Sequence, residues 1–215
     1  EVGYDVEFED PDQARNAIGA APGGYGLGTT APKAPNDNPS EIMATGFYSA
    51  QHANLSLGSS WGRSHILHIE GQQNYAIQFQ YDFNNQVEAI RKKLAGVWQE
   101  WEFVNPPMVA NTEYRTTERN QDKVVYAKTF NVGTLPSANS SKVSGSIPTG
   151  AKLVDSYGTA VNSTTSEQVS FPIISSGNVR CVIYTSPANA VGVYSYNYDN
   201  TNYTNAIITV KYTKS

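Results

Sequence analysis

The chain has 215 residues, of which 39% are hydrophobic and only 16% are charged, and its net charge at pH 7 is -4. A chain of this length forms one or two globular units and has enough apolar residues to bury a core. The acidic balance argues against nucleic acid as a partner, because phosphate contact needs a clustered basic surface. The run Arg91-Lys92-Lys93 is too short to supply one.

Tyrosine is the most abundant aromatic residue, with 14 copies against seven phenylalanines and three tryptophans. The polarity of the chain comes from Asn, Ser, Thr, Gln and Tyr rather than from ion pairs, which is typical of extracellular or carbohydrate-facing β proteins. The tyrosine content points the same way, because a phenol offers a flat apolar face together with a hydroxyl group at a wet surface.

Cys181 is the only cysteine, so the chain forms no internal disulfide and has no cysteine cluster for a metal. Val179, Cys181 and Ile183 alternate along one face of a predicted strand, which indicates a buried structural thiol. The sequence has no signal peptide and no apolar run that could cross a membrane, so we expect no membrane insertion. Because it begins with Glu1 rather than Met, we expect it to be a fragment of a longer protein.

Residues 1–43 predict a strand, a short helix and a linker. Residues 2–8 alternate as a strand, and residues 10–19 predict a helix of about two turns that Asp10 caps. So short a helix needs neighbours, either around a trimer axis or on its own domain. Residues 19–40 are rich in glycine and proline, which predicts an extended linker. A phosphate loop is not expected there, because no strand precedes the glycines and no Lys-Ser/Thr pair follows them.

Residues 44–107 predict a small antiparallel module. One of its strands alternates polar positions with a set that we expect to face inward: Tyr75, Ile77, Phe79 and Tyr81. Residues 87–94 have helical propensity, but turn signals at Asn84-Asn85 and Ala95-Gly96 favour a strand. The prolines of residues 105–107 end the module, because they cannot join a sheet ladder.

Residues 108–215 predict a second domain of short strands separated by turn clusters. The expected strands cover residues 124–130, 142–147, 151–155, 169–174, 178–185, 191–198 and 205–212. This spacing is typical of a β-sandwich or jelly roll. The expected fold class is therefore mainly β: a small antiparallel module and a C-terminal β-sandwich, with one short N-terminal helix.

Three patterns raise the question of catalysis or metal binding. Ser60 lies in a G-x-S-x-G pattern, but a nucleophile elbow needs a strand before it, a helix after it, and an acid and then a histidine later in the chain. His65 and His68 follow Ser60 too closely for that role, and on a strand their rings point to opposite faces, so one chain does not chelate a metal with both. Acids are present, but the sequence does not pair two of them as glycoside cleavage requires. We expect a non-enzymatic protein without cofactor or metal.

Residues 194–203 are the densest recognition-like feature. Tyr194, Tyr196 and Tyr198 are expected to share one strand face, and residues 199–202 predict a hairpin turn between strands. Aromatic rings stack on the apolar face of a sugar while amide and carboxylate groups bind its hydroxyls, and tyrosine-rich surfaces also bind proteins. The candidate receptor-binding residues are Tyr194, Tyr196, Asn197, Tyr198, Asp199, Asn200, Asn202 and Tyr203.

Two other interpretations of the aromatic residues remain open. The tyrosines of residues 194–203 are alternatively a ladder that packs the sandwich or a subunit seam. A second candidate recognition site is Trp61 with Arg63, and its alternative is burial of Trp61 inside the antiparallel module.

Residues 45–104 combine aromatic, glutamine and basic positions in a particular order. The stretch opens with Thr45-Gly46-Phe47-Tyr48, closes with Gly96-Val97-Trp98-Gln99-Glu100-Trp101, and carries residues 75–81 and Ile90-Arg91-Lys92-Lys93 between them. In this order it resembles the pyocin-knob module of phage tail fibres. Two flanking regions add to this resemblance. The segment before such knobs looks like Ala17-Ile18-Gly19-Ala20 with the glycines after it. A terminal β domain of phage tail proteins looks like residues 126–130 together with residues 208–214.

The resemblance implies a virion-attached adhesin, the distal part of a phage tail fibre or of a tail-like bacteriocin. Such a protein is a homotrimer on an upstream fibre shaft, and its partner is a bacterial surface glycan or an outer-membrane protein. Attachment gains strength from avidity, and a fibre released by lysis needs no signal peptide. Some long tail fibres bind metal through histidines separated by one residue, but His65 and His68 are separated by two.

Two alternative functions stay open beside the fibre. One is a carbohydrate-binding module pair of a secreted bacterial enzyme, and the other is a structural fibre spacer without a receptor site. The mass of the protein in solution separates the fibre from the module pair, and mutation of Tyr196 and Tyr198 separates it from the spacer.

Overall fold

The computed structural model describes residues 31–51, 63–72, 74–82, 87–175 and 177–215. Over these residues the chain is mainly β, which confirms the predicted fold class. It divides into two compact units, Glu1–Trp101 and Glu102–Ser215. The predicted strand at residues 2–8 and the predicted helix at residues 10–19 lie outside the described residues.

The first unit is an antiparallel sheet. Its strands, in spatial order, are β1 (Gly46–Gln51), β2 (Arg63–Glu70), β3 (Ala76–Asp82) and β4 (Glu88–Leu94), and β5 (Val97–Trp98) pairs with β4. Strand β4 confirms the strand predicted over residues 87–94. Ala95 and Gly96 join the paired residues Leu94 and Val97 with φ of 49° and 85°, so the predicted turn is a two-residue loop with positive φ at both positions, as a type I′ hairpin requires.

Residues 31–43 fold onto the first sheet. They include two 3-10 helices, Pro35–Asp37 and Pro39–Glu41, and the side chains of Ala34 and Ile42 are buried. The N–H of Ala34 donates to the carbonyl of Ser49 at 2.8 Å. The prediction of an extended linker is therefore wrong for these residues, because backbone bonds to β1 and burial of apolar side chains fix them in place.

The two faces of the first sheet are the reverse of those predicted. Gln78 is fully buried, whereas Phe79 and Tyr75 are 37% and 49% exposed. Residues 31–43 cover the glutamine face and supply the partners that buried amides need, since Nε2 of Gln78 donates to the carbonyl of Pro39 at 2.6 Å. The expectation that the aromatic set faces inward is therefore wrong within a single chain.

The second unit is a sandwich of two sheets. The larger sheet contains, in spatial order, β6 (Glu102–Phe103), β7 (Glu113–Asn120), β8 (Lys123–Gly133), β15 (Tyr203–Thr213), β10 (Lys152–Asn162) and β11 (Gln168–Ser170). The smaller sheet contains β12 (Ile173–Ser175), β13 (Asn178–Thr185), β14 (Ala190–Ser195) and β9 (Ser140–Ser146). The pairs are antiparallel except for β6 with β7.

The core of the second unit lies between the two sheets. Phe130, Ile208 and Tyr212 of the larger sheet and Cys181 and Val193 of the smaller sheet are fully buried. The predicted buried thiol is thus confirmed, and burial raises the pKa of Cys181 to about 11. A thiol with that pKa stays protonated at neutral pH and is inert.

The strands predicted for the second unit are present with shifted ends. The segment predicted as one strand over residues 169–174 is two strands, because Pro172 between them has no N–H for a ladder. Strand β7 is not predicted by the sequence, because its eight residues EYRTTERN contain a single large apolar side chain. Polar residues occupy both faces of this strand, so the alternation of apolar and polar residues that predicts a strand is absent.

Candidate functional site

The outer face of the smaller sheet carries a groove lined by tyrosines. Alternation along β13 and β14 sends Cys181 and Val193 into the core and Val182 and Tyr194 outward, where the two are cross-strand partners. The groove has a volume of about 390 Å³. Its lining residues are Ser141, Val182, Tyr184, Tyr194 and Tyr196.

Two of the lining tyrosines form an aromatic pair. The rings of Tyr194 and Tyr196 are T-shaped, with centroids 4.8 Å apart and an angle of 69° between their planes. Both residues were predicted as recognition residues, and the structure brings them together. Because the pair is edge-to-face, the two rings present surfaces of different orientation to anything in the groove.

The chain after β14 crosses between the two sheets instead of forming the predicted hairpin. Strand β14 ends at Ser195 in the smaller sheet, and β15 begins at Tyr203 in the larger one. The prediction that Tyr194, Tyr196 and Tyr198 share one strand face is therefore wrong, because the strand has ended before the last two. The ring of Tyr198 lies against the guanidinium of Arg180, 4.5 Å from its carbon to the ring centroid.

Asn200 is a buried residue that holds this crossing loop. Its Nδ2 atom donates to Oγ of Ser195 at 3.0 Å and lies 3.3 Å from the carbonyl oxygens of Arg180 and Tyr198. The fully buried side chain is not accessible to a receptor. The structure therefore gives this predicted recognition residue a positioning role.

The other predicted residues lie on the loop or at its base. Asp199 is exposed, and its carboxylate accepts hydrogen bonds from the backbone and side chain of Thr201, which lowers the pKa of Asp199. Asn197 and Asn202 are also exposed, and the ring of Tyr203 packs partly against the core. Of the predicted set, only Tyr194 and Tyr196 line the groove.

Three of the lining residues are not among the predicted recognition residues: Ser141, Val182 and Tyr184. A signal for two of them was present: if Cys181 and Ile183 face the core, Val182 and Tyr184 must face outward. No comparable signal marked Ser141, because its place in the groove depends on the pairing of β9 with Tyr194 of β14.

The second candidate recognition site is only partly described. Trp61 and Ser60 lie outside the described residues. The backbone of Arg63 begins β2 and pairs with Gln51. The receptor role suggested for Trp61 and Arg63 stays a prediction.

A buried polar network lies beneath the first sheet. His68 accepts at Nδ1 from the amide of Gln78 at 3.0 Å, and its Nε2 donates to the carboxylate of Glu70 at 2.9 Å. The orientation of the amide follows from Oε1 of Gln78, which accepts from Nε of Arg91 at 2.8 Å. Burial lowers the pKa of His68, so its ring is neutral at pH 7.

Arg91 is the centre of this network. Its guanidinium lies 4.3 Å from the ring of Trp98 and 4.4 Å from that of Trp101, and one of its terminal nitrogens donates to Oγ of Ser40 at 3.1 Å. Trp98 also donates through Nε1 to the carbonyl of Ser40. The hydrogen bonds of Arg91 and Trp98 to Ser40 thus hold the segment around Ser40 against the sheet, so the network has a structural role.

The residues considered for metal or acid chemistry have other contacts. His65 and His68 lie on opposite faces of β2, as predicted. Glu102 pairs with Arg115 and Arg119, and Glu118 pairs with Lys211. Among the described residues, no three side chains of His, Cys, Asp or Glu are placed to hold a metal ion. No helix in the described part of the chain is long and apolar enough to span a membrane.

The fold and the groove define a mainly β protein with a tyrosine-lined surface site. No protein-family model matches the sequence, and no curated protein matches it. The solved structures with similarity to the chain include an N-truncated R2-type pyocin tail fibre, with 10% identity and a TM-score of 0.26 over 84% of this chain and 94% of that one.

A second similar structure is the P. aeruginosa R1 pyocin fibre. Its identity is 10% and its TM-score 0.25, over 81% of this chain and 64% of that one. An R2 pyocin fibre of P. aeruginosa has 10% identity and a TM-score of 0.26, over 84% of this chain and 65% of that one. Likeness at these TM-scores supports no inference about this chain.

Proposed function

We propose that the chain is the receptor-binding part of a bacteriophage tail fibre or of a tail-like bacteriocin, and that it binds saccharides on a bacterial surface without cleaving them. The observation that carries the proposal is the groove on the smaller sheet. Tyrosine rings offer flat apolar faces to a sugar ring, while their hydroxyl groups and that of Ser141 offer hydrogen bonds. Its volume falls within the range of about 300–1,000 Å³ that is usual for small-molecule sites.

The chemistry of the groove favours binding over turnover. None of its five described lining residues is a carboxylate or a histidine, the groups that most often move protons in catalysis. A groove on the outer face of a rigid sheet also keeps its shape without a ligand, which lowers the ordering cost of weak, multivalent attachment.

The setting in a fibre is supported by the resemblance of residues 45–104 to the pyocin knob. On that basis the protein is proposed to work at the tip of a tail, outside the host cell and joined to an upstream shaft. An outer-membrane protein is the second kind of receptor, since the same tyrosine chemistry serves protein contacts.

The proposal is tested by binding to bacterial cells and to an array of surface polysaccharides. Tyr184→Ala and Tyr194→Ala each remove a ring from the groove, and we expect binding to fall by about tenfold, the effect of roughly 1.4 kcal/mol. Tyr157→Ala is the control, because it removes a surface tyrosine ring from the larger sheet, outside the groove. Unchanged binding by both groove variants would place the receptor site elsewhere.

Association of copies of the chain, proposed here as a homotrimer, is supported by the open face of the first sheet. We define the open face by the apolar residues that share one side of β1–β4: Phe47, Leu67, Ile69, Tyr75, Ile77, Phe79, Tyr81, Ile90 and Leu94. Their register places Phe47, Leu67, Phe79 and Ile90 in one row across the four strands. Contiguous exposed apolar surface of this kind marks an interaction site.

We propose that further copies of the chain cover the open face. The resemblance of residues 45–104 to the pyocin knob implies a homotrimer, and an apolar face of this kind is suited to contact between copies.

Light scattering tests this association. Three 23.4 kDa chains give a mass of about 70 kDa, and Phe79→Ser on the open face is expected to lower it toward that of one chain. Tyr157→Ser controls for the loss of an exposed ring. A wild-type mass of 23.4 kDa, or an assembly unaffected by Phe79→Ser, would contradict the role given to the open face.

A further inference from the structure

We infer that the ligand of the groove is a saccharide carrying an anionic group, a carboxylate or a phosphate, and that Arg180 binds this group. The inference rests on the proposed saccharide-binding function and adds the chemical class of the ligand. The guanidinium of Arg180 has no acidic partner among the described residues.

Arg180 stands at the end of the groove on the same face of the sheet. Along β13, Arg180, Val182 and Tyr184 alternate with the core residues, so all three point outward. The carbonyl of Arg180 accepts a hydrogen bond from the N–H of Tyr196, a groove residue, at 2.9 Å. The backbone of Arg180 is thus bonded to that of a groove residue, and its side chain occupies the outward position of β13 next to that of Val182, which lines the groove.

One face of the Arg180 guanidinium is covered by an aromatic ring. Tyr198 lies against the flat side, 4.5 Å from the guanidinium carbon. Stacking uses the π face and leaves the N–H groups, which point outward in the guanidinium plane. Among the described residues, none accepts a hydrogen bond from Nε of Arg180, although that atom is buried.

Other arginines in the described part of the chain are engaged differently. Arg115 and Arg119 donate to the carboxylate of Glu102, and Arg91 donates to Gln78 and Ser40. A buried donor without an acceptor is unfavourable, and a planar fork of donors suits a carboxylate or phosphate in two-point contact. Arg180 is therefore the described arginine best suited to an external anion.

In the described part of the chain, no carboxylate forms an ion pair with Arg180. The acid in the loop, Asp199, accepts a hydrogen bond from the N–H of Thr201. The described lining of the groove contains no carboxylate. A positive charge at the rim of an uncharged groove selects sugars that carry a negative group.

The experiment is a titration of the whole chain, followed by NMR, with matched probes: glucose, glucuronate and glucose 6-phosphate, and the corresponding galactose series. Wild-type protein is expected to bind one of the anionic sugars at least about tenfold more tightly than its neutral parent. Arg180→Gln is expected to abolish this preference and retain neutral-sugar binding, and Arg180→Lys to restore part of it. Lys152→Gln removes the same charge from an exposed position and should change nothing.

The outcomes separate this inference from the function on which it rests. Equal binding of neutral and anionic sugars by wild type, or an anionic preference that survives Arg180→Gln, overturns the inference and leaves saccharide binding in place. Absence of any sugar binding, together with unchanged cell binding by Tyr184→Ala, overturns both. Inorganic phosphate is the last probe in the titration. If it binds as tightly as glucose 6-phosphate, Arg180 binds anions without regard to the sugar, and the sugar part of the inference fails.

Discussion

Arg91 is a cation buried between the rings of Trp98 and Trp101, and it donates to neutral groups on Gln78 and Ser40. Burial lowers its pKa to about 10, so it stays charged at neutral pH. Its stabilising contacts are thus two cation–π interactions and two hydrogen bonds, and the bond to Ser40 joins it to the segment that covers the sheet.

Replacement of Arg91 by Met should destabilise the first unit by about 3 kcal/mol, because it removes those contacts and leaves Oε1 of Gln78 buried without a partner. Urea unfolding followed by tryptophan fluorescence measures this, since all three tryptophans precede Glu102. Lys33→Met is the control, because Lys33 is an exposed cation of the first unit outside the open face, and it should change stability by less than about 0.5 kcal/mol. Equal effects would contradict the role given to Arg91.

The stability of the first unit should fall on acidification because of His68. Burial lowers its folded-state pKa below the ordinary value of 6.5, and the charges of Arg91 and Lys93 act in the same direction against the opposing effect of Glu70. The unfolded chain therefore takes up the proton first. The stability that neutral His68 supports is complete above pH 6.5 and is lost as the pH falls from there through the folded-state pKa.

Urea midpoints at pH 7.5, 6.5 and 5.5 test this, again by tryptophan fluorescence. His68→Gln should reduce the dependence on pH, since glutamine does not titrate. His65→Gln is the control, because His65 lies on the opposite face of β2. A pH dependence that persists in His68→Gln and is lost in His65→Gln would assign the effect to the wrong histidine.

At the scale of the element, the hairpin of β4 and β5 is constrained by its turn. Ala95 has φ of 49°, a conformation that costs an L-alanine about 1 kcal/mol and that asparagine tolerates better. Ala95→Asn should therefore raise the free energy of unfolding by about 0.5 kcal/mol. Gly96→Ala should lower it by about 1 kcal/mol, because φ is 85° and a methyl group there meets only ordinary contacts. Effects of the same sign would contradict the type I′ assignment.

The elements themselves divide into those that the sequence predicted and those that it did not. Strand β13 was predicted from the alternation around Cys181, and the turn at residues 95–96 from its glycine. Strand β7 lacks a hydrophobic period, so its pairing with β8 places it in the sheet without any local signal. The loop after Ser195 was misassigned because neighbouring strands in sequence are most often hairpins, whereas here they belong to different sheets.

At the scale of the whole molecule, the division into two compact units predicts independent folding. The second unit has its own core between two sheets, so residues 102–215 expressed alone should fold and retain the groove. In the full chain, tryptophan fluorescence reports on the first unit alone, whereas far-UV circular dichroism reports on both. We expect the two unfolding curves to differ; coincident curves and an unfolded fragment would contradict independent units.

The groove illustrates how much of the site was predictable. Tyr194 and Tyr196 were predicted from their density and from the neighbouring Asn and Asp residues, and both line it. Asn200 was predicted for the same reason but is buried, because the carbonyls that it binds belong to residues up to 20 positions away. Arg180 gave no signal, since its place beside Tyr196 and Tyr198 depends on how the chain leaves β14.

The sequence by itself determined the fold class, the buried cysteine and most strands of the second unit, because these depend on local alternation and turn residues. Only the tertiary structure decided which face of the first sheet is inside. Alternation of residue types separates the two faces of a strand but does not show which face is buried. Here the buried face is decided by residues 31–43, which bring carbonyl and hydroxyl partners to Gln78 and Arg91. With those partners the polar face is the one that packs, and the aromatic face remains exposed.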